Sequence, residues 1–290
     1  MTVDRARVAR FAGLCLVGAV LAGLLRWTFG GAVGTAASVG VTFVPMAAGI
    51  VLRGRGDISA NLGLETPNRW GLAGLLPVVL VFPITAASLV MPGIGPSATL
   101  GGLLATYASG LPPDQVAAIQ AQVAGLPMHP FWLALPVGTL LGATVLTVVA
   151  LGEEAGWRGW LHRELAPLGL LQASLLTGLL WGIWRLPLAL QGVEHPEHPW
   201  IGGLLVVSGC VAVSPLIGWV RERSGSALSA ALCRGVLQGT APLPLLWLDR
   251  IDDRLVGAPG LAGLLVFMAA SALLGAATGY RTPRTGDTPP

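Results

Sequence analysis

Apolar stretches of about 20 residues, the length an α-helix needs to cross the hydrocarbon core of a bilayer, recur from one end of this chain to the other. That recurrence leaves few folds open. In lipid every backbone N–H and C=O must be satisfied within the protein, which helices achieve segment by segment. Candidate spans are read at 9–28, 31–52, 71–91, 131–151, 170–190, 201–219, 226–247 and 260–280. Hydrophobic residues make up 53% of the chain and charged residues 11%, a composition that excludes an ordinary water-soluble domain. The expectation is an all-α, polytopic transmembrane helical bundle of about eight helices. It forms a single transmembrane domain over 1–281, followed by a disordered tail at 282–290.

Arginine placement checks this partition, because short cytoplasmic loops carry the excess of positive charge and no lysine occurs to share the role. With the N-terminus inside, the cytoplasmic segments receive Arg5, Arg7, Arg10, Arg53, Arg55, Arg69, Arg158, Arg163, Arg221, Arg223, Arg281 and Arg284; the other side receives only Arg26, Arg250 and Arg254. The prediction is an integral protein of the bacterial cytoplasmic membrane with both termini cytoplasmic. Arg5, Arg7 and Arg10 ahead of the first apolar run imitate a secretory signal, but the second span follows almost at once without a convincing cleavage site, so the first is read as a retained helix. Arginines scattered among short loops make no nucleic-acid footprint, and no nucleic-acid partner is expected. Cys15, Cys210 and Cys233 lie in apolar segments without ligand spacing and are read as small packing residues. His195 and His198 are separated by a proline and have one nearby carboxylate, so neither metal nor cofactor is expected.

Ionisable groups at membrane depth are expensive, and each is a functional candidate. Residues 152–161, Gly-Glu-Glu-Ala-Gly-Trp-Arg-Gly-Trp-Leu, place Glu153, Glu154 and Arg158 at the end of an apolar run. Glu154 and Arg158 stand at i, i+4 with the acid on the N-terminal side, the better orientation for pairing. Arg185, in Trp181-Gly-Ile-Trp-Arg185-Leu-Pro187, and Arg234, in Cys233-Arg234-Gly-Val-Leu-Gln238, both fall inside spans. Arg234 and Gln238 share the i, i+4 spacing and project from one face. The tryptophans, Trp132, Trp157, Trp160 and Trp200 among them, are read as interfacial anchors, and His162 with Arg163 as a solvated face.

Over roughly 131–245 this arrangement resembles the CPBP proteins, the CAAX-prenyl-protease-like and bacteriocin-processing membrane endopeptidases. The first signature, Glu-Glu-x-x-x-Arg, is matched by Glu153, Glu154 and Arg158, with Gly159 following. The second ends in a histidine within a Trp-x-x-Trp-His-x-Pro-like setting, and here reads Trp181-Gly-Ile-Trp184-Arg185-Leu-Pro187. The third, His-x-x-x-Asn or Asp, is filled by Arg234-Gly-Val-Leu-Gln238. The resemblance implies peptide-bond hydrolysis near the membrane: the first glutamate, aided by the histidine of the second motif, activates water, and the late histidine with its amide partner stabilises the oxyanion. A membrane-associated or prenylated-type peptide is the implied substrate or partner, with membrane lipid as the surroundings.

The departures bear on activity. Proton transfer needs a group whose pKa lies near the operating pH, and arginine, at about 12.5 or above, does not supply one. A guanidinium beside a carboxylate also favours its ionised form, against the needs of a general base. Oxyanion stabilisation asks only for donors, which Arg234 and Gln238 are, although both side chains are larger than His and Asn. The expected product is a buried set of ion pairs, Glu153 or Glu154 with Arg158, Arg185 and Arg234, and an endopeptidase whose activity is reduced or lost. The alternative is a non-catalytic pseudoprotease acting as a membrane binding or immunity protein; a small transporter lacks the inverted repeat it would need. Between the third and fourth spans, Asp114–Val123 is read as a short amphipathic surface helix.

Overall fold

The computed structural model describes residues 3–53, 57–108 and 110–280. Arg55, Arg281, Arg284 and the tail at 282–290 therefore lie outside the described residues. The described chain is an all-α bundle, and helix is found in each of the predicted spans. We number the principal helices α1 (Arg5–Phe29), α2 (Gly31–Leu52), α3 (Trp70–Leu89), α4 (Pro130–Leu168), α5 (Leu170–Ala189), α6 (Pro199–Ser224), α7 (Ala227–Thr240) and α8 (Leu261–Thr278). Six of them, all but α5 and α7, are long and apolar enough to cross a bilayer. The predicted span 226–247 is broken: α7 ends at Thr240, and a short 3₁₀ segment, Leu243–Trp247, follows. At 1.5 Å per residue α7 is about 21 Å long, short of the ~30 Å hydrocarbon core.

The connections gather into two sets. On one face, Arg7 pairs with Glu164 at 2.9 Å, the Asn68 N–H donates to the Ser224 carbonyl, and the Ala227 N–H donates to the Gly63 carbonyl at 2.7 Å. On the other, Gly95 N–H donates to Asp249 Oδ1 at 2.7 Å and Gly102 N–H to the Leu248 carbonyl at 3.0 Å. Arg7, Arg163 and Arg221 make their contacts on the first set. The surface helix in the long connection spans Pro113–Ala124, carries Asp114 in its first turn, where a helix N-terminus favours negative charge, and has no buried residue.

Helix α4 organises the rest. Its first half is apolar and outward: Trp132, Leu133, Val137, Leu140, Val145 and Val148 are all exposed, a face suited to lipid. The stretch from Gly152 to His162 is wholly enclosed, every residue in it being buried, and π-helical turns at Gly142–Leu146 and Ala155–Leu161 rotate one face relative to the other. Such turns recur at functional sites. The enclosure includes Trp157 and Trp160, which meet Phe11 of α1 edge-on at 5.3 Å and stacked at 4.8 Å. These two tryptophans are core, not interfacial anchors as predicted; Trp132 and Trp200 are exposed, as anchors should be.

Close helix approach is set by glycine. Gly138 and Gly142 on α4 face Gly235 and Gly239 on α7 so tightly that a Cβ on Gly235 would stand 2.5 Å from the Gly142 carbonyl oxygen, and one on Gly239 2.2 Å from the Gly138 oxygen. These are two facing small-xxx-small seams, the device by which membrane helices bring backbones into van der Waals contact. Gly178 and Gly182 of α5 do the same against Cys210 and Val207 of α6. Helices α4 to α7 thereby close around one polar centre.

Candidate functional site

Each of these four helices supplies one part of that centre. From α4, Glu154 Oε1 accepts from Arg158 Nη1 at 2.9 Å, the i, i+4 pair expected from the sequence. The other arm of Arg158 donates to Ser214 Oγ on α6 at 3.0 Å. Glu153 Oε2 accepts from the Trp181 indole N–H on α5 at 2.8 Å and from Arg234 Nη2 on α7 at 3.4 Å. Glu153, Glu154 and Arg158 are at most 1% exposed, so nearly all their charge is balanced inside the protein.

Trp181 is the hub. The Arg158 guanidinium carbon lies 4.8 Å from its ring centroid and that of Arg234 4.7 Å, placing two cations against one indole whose N–H is already committed to Glu153. Desolvated cation–π contacts of this kind are worth up to about 2 kcal/mol each. Nothing in composition or spacing marked Trp181 out for this role beyond its place in the Trp-rich stretch, and Ser214 carried no sequence signal at all.

Arg185 does not join. The expected ion-pair set included it, but its guanidinium turns to Glu194, in the loop between α5 and α6, and makes an ion pair there. The physical reason lies in its position: Arg185 is one turn beyond Trp181 toward the end of α5, nearer the loop carboxylate than the α4 pair. Glu194 went unnoticed in the sequence because its partner is nine residues away across a turn. Burial pushes the Glu194 carboxyl up, yet the charge and hydrogen bond of Arg185, with the charge of His195, outweigh that and hold it below the ordinary carboxylate range.

A cavity of about 230 Å³ opens beside the centre. Trp181, Arg185, Glu194, Arg234 and Gln238 contribute its polar lining and residues such as Val213 and Phe267 its apolar lining. Arg234 and Gln238 share this wall, as their spacing predicted, while Glu153 is behind Trp181 and Arg234 and is not among the lining residues. Arg234 Nε and Gln238 Oε1 are both buried without a hydrogen-bond partner.

Two further expectations need correction. His162 is buried, not part of a solvated face, and its Nε2 lies 2.5 Å from Glu222 Oε1 of α6; Arg163 is the solvated one, with Glu65 at 3.4 Å. His198 has more carboxylate company than the local sequence indicates, since Asp253 folds in from 55 residues away with its Oδ1 2.6 Å from His198 Nδ1. Glu197, His198 and Asp253 each offer a ligand atom within 4.8 Å of the others. Asp253 Oδ2, however, accepts the backbone N–H groups of Glu197 and His198 at 2.9 and 3.3 Å, so the trio acts as a clasp between two loops. The three cysteines are buried and unpaired, in keeping with packing roles.

Helix content, apolar spans and the enclosed acid–guanidinium centre define an integral membrane protein of the polytopic α-helical class. Residues 134–240, the stretch that runs from α4 through α7, match the family model described as type II CAAX prenyl endopeptidase Rce1-like. The match marks that stretch, a little over a third of the chain, as similar to the CAAX protease-like (CPBP) family. No match was found among curated proteins.

Proposed function

We propose that this chain is a non-cleaving CAAX protease-like protein, which keeps the family's glutamate–arginine centre as a structural lattice and uses the adjoining cavity to hold a membrane-associated peptide segment. The observation that carries this reading is the engagement of Glu153: its Oε2 is held by Trp181 at 2.8 Å and Arg234 at 3.4 Å. A general base needs a neighbour that can relay a proton near neutral pH. The groups that stand where the resemblance implies histidines are Arg185 and Arg234, and neither exchanges protons there. Glu153 itself is not among the residues that line the cavity, which Trp181 and Arg234 reach first.

Hydrolysis with Glu153 as base, and Arg234 and Gln238 as oxyanion donors, is favoured by one observation, that both donors line the same cavity. The experiment that separates the two readings offers protein reconstituted in liposomes a library of prenylated and unmodified peptides, with Glu153→Gln beside it and products read by mass spectrometry. Non-cleaving function predicts saturable peptide binding without Glu153-dependent products; cleavage lost in Glu153→Gln would overturn it. The double variant Arg185→His with Arg234→His asks whether proton-handling groups alone were lost. We place the cavity on the extracytoplasmic side and both termini in the cytoplasm, following the arginine distribution, and treat 1–281 as one domain.

A further inference from the structure

Two cavities lie back to back where α5, α6 and α7 meet the loops 190–198 and 241–260. The inner one, about 230 Å³, is the cavity of Trp181, Arg234 and Cys210. The outer one, about 240 Å³, is bounded by Tyr107, Glu197, Leu245 and Asp253. Glu194, Ala241 and Pro259 line both, whereas Arg185 lines only the inner one and reaches Glu194 at the partition. We propose that the Arg185–Glu194 ion pair is a gate: paired, it divides the two cavities, and parted, it joins them into one passage from the loop surface to Arg234.

The surroundings suit a part that moves. The two side chains keep 24% and 17% of their surface exposed, against 1% and 0% for the Arg158–Glu154 pair, so they part at lower cost than that pair. Glu194 Oε2 has no partner, so a single point of contact holds the partition. Its loop is held by a turn at Gly192 with φ of 77°, by the fully buried His195 and by the clasp of Asp253 on Glu197 and His198, so the pair opens by rotation of the Arg185 and Glu194 side chains over a fixed backbone. From the opposite face the centre is sealed by Trp157 and by the Glu154–Arg158–Ser214 chain, all buried. The occupant this passage fits is an extended apolar segment, lying along Val206, Val213 and Phe267 with a cationic group left at the mouth beside Glu197 and Asp253. The gate stands whether or not the site cleaves what it admits.

Cys210 is a native reporter, since it lines the inner cavity, while Cys15 and Cys233 are buried elsewhere and do not. The full chain in detergent is treated with a small charged methanethiosulfonate, and modification of each cysteine is followed by peptide mass spectrometry. Glu194→Gln, or Arg185→Met as the second route to the same break, is expected to speed Cys210 modification roughly ten-fold or more, with Cys15 and Cys233 unchanged. Adding Leu245→Trp, which fills the outer cavity, is expected to return Cys210 to its slow rate. An unchanged Cys210 rate in both gate variants, equal acceleration of all three thiols, or a fast rate that survives Leu245→Trp would each overturn the proposal. Size-exclusion profiles matching the parent protein confirm that a variant is folded; if neither gate variant folds while Leu245→Trp does, the pair is structural and the gate is refuted.

Discussion

Glu154→Gln isolates the contribution of the buried lattice. The substitution keeps the shape of the side chain and removes one charge from a pair whose members are 0% and 1% exposed and 2.9 Å apart. Arg158 is then left with Ser214 Oγ at 3.0 Å and the face of Trp181, neither of which carries negative charge. Stranding one member of a buried pair typically costs about 3–5 kcal/mol; the surviving contacts should hold the loss near the lower end. The double variant Glu154→Gln with Arg158→Met strands nothing, so its loss should be smaller than the sum of the singles by roughly 2 kcal/mol or more. Reversible unfolding in mixed micelles, followed by tryptophan fluorescence for parent, both singles and the double, measures the cycle. Single losses below about 1 kcal/mol that simply add would refute the reasoning, because they would mean that the pair behaves as an exposed one.

Three other expectations follow from the same geometry. Gly235→Leu should prevent α7 from seating on α4, because even its Cβ would stand 2.5 Å from the Gly142 carbonyl oxygen; overpacking of this sort costs about 1–3 kcal/mol or more, visible as a lowered unfolding midpoint. Trp181→Phe keeps a ring between the guanidinium groups but deletes the N–H donated to Glu153, for a loss of about 1.5–3 kcal/mol in the same unfolding measurement. The Glu194 carboxyl is held below its ordinary value despite the opposing effect of burial; such a group stabilises the fold fully above its unfolded pKa, about 4.3, and loses the contribution as pH falls through the depressed folded value. The difference in melting temperature between parent and Glu194→Gln should therefore stay constant from pH 8 to 5 and close only in stronger acid.

Much of the architecture was legible because membrane helices write themselves as long apolar runs. Glu154 with Arg158, and Arg234 with Gln238, were legible too, since i, i+4 spacing fixes which side chains share a helix face. Arg185 was misplaced for a complementary reason: its partner, Glu194, sits in a loop whose path no periodicity encodes. The burial of Trp157, Trp160 and His162 was hidden because α4 turns inside out along its length, apolar residues facing outward at 132–148 and polar ones enclosed at 152–162. The glycine seams at 138 and 142 and at 235 and 239 were present as small-xxx-small patterns, but the same spacing at 30 and 34, at 152 and 156 and at 178 and 182 leaves the pairing of α4 with α7 undetermined by sequence. The length of α7 was overread because Leu243–Trp247 continues the apolar run after the helix has ended.

Whether Glu153 is a lattice partner or a base is decided most directly by measuring two properties of Glu153→Gln in one reconstituted sample: thermal stability and product formation from a prenylated peptide. The lattice account predicts a melting temperature lowered by several degrees, because Arg234 loses its counter-charge, with no product from either parent or variant. A variant as stable as the parent, alongside peptide cleavage that only the parent performs, would contradict it.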